Sequence, residues 1–100
     1  MDPDDELCLC FHVTRRKLEA FVRIERPRRV AQLAECGGAG TGCGWCRPFL
    51  ARIFDAAQRS AASGASELAE LPDAAEYAQG RGKYVRSGHG TPPPGATPVE

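Results

Sequence analysis

Between Glu35 and Pro48 the chain reads E-C-G-G-A-G-T-G-C-G-W-C-R-P, with three cysteines and five glycines in fourteen residues. A loop so poor in apolar side chains cannot order itself by burial, so something else must hold it. Cys43 and Cys46 form a C-x-x-C pair, a spacing that lets two thiolates converge on one metal centre. The glycines let backbone N–H groups turn toward sulfur with no Cβ in the way. Upstream, Cys8 and Cys10 form a second pair, C-x-C, and thirty-two residues separate Cys10 from Cys43. The intervening chain reads as scaffolding that brings the two pairs together.

The 100 residues allow one domain. Its informative part, residues 7–63, is small enough that apolar burial alone leaves it marginal, and such domains often depend on a metal or disulfides. The five cysteines are an odd number. Met1–Glu6 is acidic and lacks the apolar stretch of a signal peptide. No run has the length of a membrane-spanning helix. The expected location is therefore cytoplasmic, with no membrane partner, where thiols stay reduced. Cysteines at motif spacing there point to metal or redox chemistry.

Net charge is zero but unevenly spread. Residues 1–6 carry −4, residues 7–63 carry +6 and residues 64–100 carry −2. A basic core between acidic ends can steer docking onto an acidic surface, or offset the charge of an anionic centre. A solvated, arginine-rich helical surface would look the same.

Leu7–Phe11 alternates apolar residues and cysteines and reads as a short extended lead-in. Thr14 is a good N-cap, with Val13 and Leu18 placed as a hydrophobic staple. The helix that follows should run to about Glu25, burying Leu18, Phe21 and Val22 on one face. Its first turn, Arg15-Arg16-Lys17, opposes the helix dipole at a few tenths of a kcal/mol per charge, roughly. Pro27 ends it and can open a short second helix, about 28–35, which Gly37-Gly38 stops. A third helix should start near 44–46, since Pro48 is tolerated only in a first turn. Phe49, Leu50, Ile53, Phe54 and Ala57 form its apolar stripe, fading around 59–63.

Beyond Gly64 the composition changes. The domain reading is an acidic tail at 1–6, a folded unit at 7–63 and an Ala/Gly/Pro-rich tail at 64–100. One short helix is expected near 66–78, broken by Pro72, and residues 80–100 are read as disordered.

Four thiolates suit a structural zinc, a single iron or a [2Fe–2S] cluster. Their chemistry alone leaves these open. C-x-C is less usual for zinc than C-x₂₋₄-C. The plant-type string C-x₄-C-x₂-C is absent, because six residues lie between Cys36 and Cys43.

The string C-L-C-F-H-V-T, an amphipathic helix and then G-T-G-C-G-W-C together resemble the bacterioferritin-associated ferredoxin-like (BFD-like) [2Fe–2S]-binding domain. That module also occurs in NifU-type proteins and within some nitrite reductases and copper chaperones. The resemblance covers about residues 7–60. It implies a small all-α helix-turn-helix fold, to which the composition adds a disordered C-terminal tail, and Cys8, Cys10, Cys43 and Cys46 as ligands of two irons. Such a centre carries a formal charge of about −2, or about −3 when reduced by one electron. The expected donors to it are the backbone N–H groups of Gly42, Gly44 and Trp45. Arg15, Arg16, Lys17 and Arg47 would add field if they face it. Trp45 would shield sulfur or pack on the third helix.

Cys36 is extra to the motif and reads as a buried free thiol. His12 reads as a loop residue near the centre, placed to donate to sulfur. A Rieske site is excluded, because the second pair is C-x-x-C where C-x-x-H would be needed. His89 has no evident role. The expected function is single-electron transfer to a protein partner, with bacterioferritin or a reductase suspected. The alternatives are a cluster carrier or scaffold, and a zinc-stabilised interaction module. DNA binding is discounted because the would-be recognition helix holds few base-reading side chains. No catalytic constellation is present, so the chain is not expected to be an enzyme.

Overall fold

The computed structural model describes residues 1–65 and 67–99. The chain is mostly helical, but it opens on a small hairpin that an all-α reading does not include. Strand β1 (Glu6–Cys8) pairs antiparallel with β2 (Val13–Thr14), in an irregular register. Alternation in C-L-C buries Cys8 and Cys10, and the tight loop between the strands holds Cys10. His12 closes that loop at φ 56°, in the left-handed region.

Thr14 ends β2 and caps helix α1 (Arg15–Glu25), its hydroxyl accepting from Lys17 N at 3.2 Å. The buried face carries Leu18 and Val22, with Phe21 partly buried against the core. The segment preceding β1 relieves the cationic first turn. The Asp5 and Pro3 carbonyls accept from the Arg15 and Arg16 amides at 2.9 and 2.8 Å, and Asp4 pairs with Arg16 at 3.0 Å. The acidic residues at the N-terminus thus supply the negative charge that α1 itself lacks in its first turn.

Arg26 turns left-handed at φ 48° ahead of Pro27. The expected second helix is a 3₁₀ helix, Val30–Glu35, burying Leu33. The glycine loop then leads into α2 (Arg47–Ser63), with Pro48 in its first turn. Phe49, Leu50, Ile53 and Ala56 are its buried residues, and Gly64 ends it at φ 75°. Helices α1 and α2 pack on one another across this core.

The C-terminal third departs from the sequence reading. Instead of a helix near 66–78 and a disordered tail from 80, helix α3 spans Ala74–Arg86, and the segment after it meets the cysteine loops at Gly90, Pro93 and Thr97. Ser66 and Glu100, the outermost residues of those two expected segments, lie outside the described residues. Pro72 precedes the helix rather than breaking it. Asp73 caps α3, accepting from Glu76 N at 2.8 Å. Gly80 and Gly82 sit inside the helix, where glycine normally weakens it. A Cβ on Gly80 would lie 2.7 Å from the Trp45 ring, so this glycine is where the ring and α3 meet. Tyr77, 1 % exposed, enters the core from the same helix. Thr97 N donates to Leu9 O at 2.8 Å and fastens the C-terminal segment to the hairpin loop. No helix among the described residues is long and apolar enough to cross a membrane.

Candidate metal centre

Four cysteines reach one place from two loops. Cys8 and Cys10 come from the hairpin, Cys43 from the glycine loop, and Cys46 from the residue that caps α2. None is more than 7 % exposed. They line one void of about 10 Å³ together with Gly42, Gly44, Trp45 and Arg81. The four cysteines expected as ligands and the three residues expected as N–H donors, Gly42, Gly44 and Trp45, border that space, whereas His12, Arg15, Arg16, Lys17 and Arg47 do not. All five cysteines are free thiols.

The sulfurs are matched across the loops rather than within each motif. Cys43 N donates to Cys10 Sγ at 3.3 Å. Cys46 is hydrogen-bonded to Cys8, which pulls the Cys8 thiol down to about 5; burial works against this, and the N–H groups of Gly40, Phe11 and Cys10 reinforce it. Cys46, the partner that keeps its proton, is pushed up by the same bond and by burial. Burial also raises Cys10, opposed by the Cys43 amide and by Arg81. Among the described residues no three Cys, His, Asp or Glu side chains converge on a single-ion position.

The donor set suits a [2Fe–2S] cluster. Soft thiolates are its ligands, and it needs N–H donors and positive charge to offset its own negative charge. Four buried sulfurs in two cross-loop pairs, backbone amides turned toward sulfur and a buried guanidinium meet those needs.

Each expected neighbour has a definite place. Gly42 acts through what it lacks: a Cβ there would stand 2.6 Å from Cys10 Cβ and 2.7 Å from its sulfur. Gly44 takes φ 86°, a turn that favours glycine. Trp45 stands in an aromatic cluster, its ring centroid 5.2 Å from Phe49, 5.7 Å from Tyr77 and 5.5 Å from Tyr84. Its buried Nε1 has no hydrogen-bond partner among the described residues. The amides turned to Cys8 and Cys10 belong to Gly40, Phe11, Cys10 and Cys43.

The expected cations are mostly turned away. Arg15 is occupied by Met1 O, Ala69 O and Glu19. Arg16 pairs with Asp4. Arg47 donates to Gly40 O at 2.8 Å and so braces the loop. The cation that reaches sulfur is Arg81, with Nη2 3.7 Å from Cys10 Sγ. The sequence reading placed it in the tail. The signal was a helical face, Tyr77, Arg81 and Tyr84 at i, i+4 and i+7.

His12 does not reach sulfur. Its ring nitrogens lie 3.0 Å from Glu6 Oε1 and 2.8 Å from Gly95 O, and the Gly95 carbonyl and Glu6 carboxylate raise its proton affinity. Cys36 is buried against Lys17 O at 3.9 Å and does not border the void. His89 stacks on Tyr84, centroids 5.5 Å apart.

The family described as "BFD-like [2Fe-2S] binding domain" matches residues 7–56. Two curated relatives are nitrite reductases [NAD(P)H]. The one from Neurospora crassa is 39 % identical over 54 residues, 53 % of this chain. The one from Emericella nidulans is 33 % identical over 55 residues, 55 % of this chain. In each the match covers 5 % of the relative's length. No solved structure matches.

Proposed function

The chain belongs to the BFD-like [2Fe–2S]-binding domain family, and on that premise we propose that it is a ferredoxin-like carrier passing single electrons to a larger protein. In this reading Cys8, Cys10, Cys43 and Cys46 hold the two irons. The observation that carries it is four buried cysteines from two loops lining one void. When bound, a [2Fe–2S] cluster supplies a one-electron couple. The chain's own residues hold it, exclude water and set its electrostatics, and perform no bond chemistry themselves. The loops around Cys8 and Cys43 are braced by amides and by Arg47, so little rearrangement accompanies a change of charge.

Burial separates electron transfer from cluster delivery. An electron can cross the thin protein wall, whereas handing over the cluster needs incoming thiols to reach the iron. With every ligand at most 7 % exposed, the electron route is favoured. The partner is a redox protein with an acidic docking surface, matching the basic core. Bacterioferritin or a reductase fits that description, and the cytoplasm keeps the thiols reduced.

The two routes part in one experiment. Protein reduced with dithionite and desalted to remove the excess is mixed with oxidised cytochrome b5, an acidic haem protein, as electron acceptor, and separately with an apo-ferredoxin as cluster acceptor. Expected are reduction of the cytochrome within seconds and less than about a tenth of the iron moved to the apo-ferredoxin over an hour. Fast transfer of iron to the apo-ferredoxin would favour the carrier instead.

A further inference from the structure

Arg81 is a buried cation with no carboxylate partner among the described residues. It is 3 % exposed and lies on α3, beyond the residues the family match covers. One Nη donates to Thr97 O at 2.8 Å, and the other points at Cys10 Sγ from 3.7 Å. Its buried Nε has no hydrogen-bond partner among the described residues. Among the described residues no carboxylate lies within ion-pair distance of it. A guanidinium does not give up its proton inside a protein. Burying one is costly unless an anion faces it. The groups that face it are the sulfurs of Cys10 and Cys43.

Helix α3 is also fastened to both ligand loops on either side of Arg81. Tyr77 OH donates to Leu7 O at 2.6 Å, and Tyr84 OH donates to Cys43 O at 2.9 Å. Gly90 lets the following segment close over this face, because a Cβ there would collide with the Cys43 carbonyl.

We propose that Arg81 is the charge partner of the metal centre, a positioning residue that holds the cluster's negative charge beside Cys10 and raises its reduction potential. This rests on the ligand assignment under Proposed function. Reduction brings in one electron from a protein donor and makes or breaks no bond. A fixed cation at this distance favours the state with the additional negative charge. Loss of Arg81 therefore lowers the potential, and a lysine there restores part of it.

The test is a redox titration of the full chain and its Arg81→Gln and Arg81→Lys variants, followed by visible absorption. Arg81→Gln is expected to move the one-electron equilibrium about tenfold toward the oxidised state, about 59 mV. Arg81→Lys is expected to recover at least about half of that shift. A fully loaded Arg81→Gln chain with the native potential overturns the proposal. If Arg81→Gln retains no iron, retention becomes the readout. Iron held by Arg81→Lys alone supports the charge role, and equal loss from both variants overturns it. A native chain with no dithionite-bleachable absorption overturns the cluster reading, and this inference with it. That outcome is distinguishable because it appears before any substitution is made.

Discussion

Cys43→Ser is expected to empty the centre, with iron content falling at least about tenfold and the visible absorption disappearing. A serine oxygen is a hard, weakly acidic donor where the irons call for soft thiolate. The effect comes from the sulfur alone, because serine keeps the backbone links of this position, the N–H that donates to Cys10 Sγ and the carbonyl that accepts from Tyr84 OH. Cys36→Ser is the matched control. Its sulfur lies against Lys17 O and away from the void, so the variant should keep its iron within about a tenth of the native content. Some stability is lost, on the order of 1 kcal/mol, because a hydroxyl replaces a buried thiol. Iron measured by plasma emission beside the visible spectrum distinguishes the two. A colourless Cys36→Ser chain would move the ligand set to include Cys36.

Much of the hairpin-to-α2 unit is legible in the sequence because its signals are local. Thr14 before an apolar stripe predicts the start of α1, and Pro48 ahead of Phe49-Leu50 predicts the start of α2. The two cysteine pairs can be recognised as one centre because their spacing carries the chemistry. Other features depend on tertiary contacts that spacing does not encode. The pairing of Cys8 with Cys46 and Cys10 with Cys43 crosses the two loops. Gly80 and Gly82 look like helix breakers, yet Gly80 is where the Trp45 ring meets α3. Asp73-x-x-Glu76 is a helix-start signature obscured by Pro72 before it and by Gly80 and Gly82 after it. Charge density along the chain points to Arg15–Lys17, but Arg15 is taken up by Met1, Glu19 and Ala69 and Arg16 by Asp4. Arg81 supplies the cation from 71 residues beyond Cys10. His12 looked like a sulfur donor because of its position. Its left-handed backbone instead aims the ring at Glu6 and Gly95.

Removing the iron should destabilise the domain. A loop of five glycines within fourteen residues pays a large entropic penalty to be ordered, and its burial of Ala39 returns little. The cluster's ligands tie that loop to the hairpin, so their binding energy is also folding energy. A loss of even about 3 kcal/mol would lower the melting temperature of a domain this size by roughly 12–24 °C. We expect the iron-free chain, kept reduced, to melt at least about 15 °C below the loaded one in circular dichroism. Coincident curves would mean that the apolar core and α3 hold the loops without help.

The central claim is that sulfur from the hairpin and from the glycine loop grips one two-iron centre. Analysis of the purified full chain for iron, zinc and acid-labile sulfide, with low-temperature EPR after dithionite, tests it most directly. The account predicts iron and sulfide in equal amounts, about two of each per chain, and an S = 1/2 signal on reduction. One zinc per chain, no labile sulfide and no signal would contradict it.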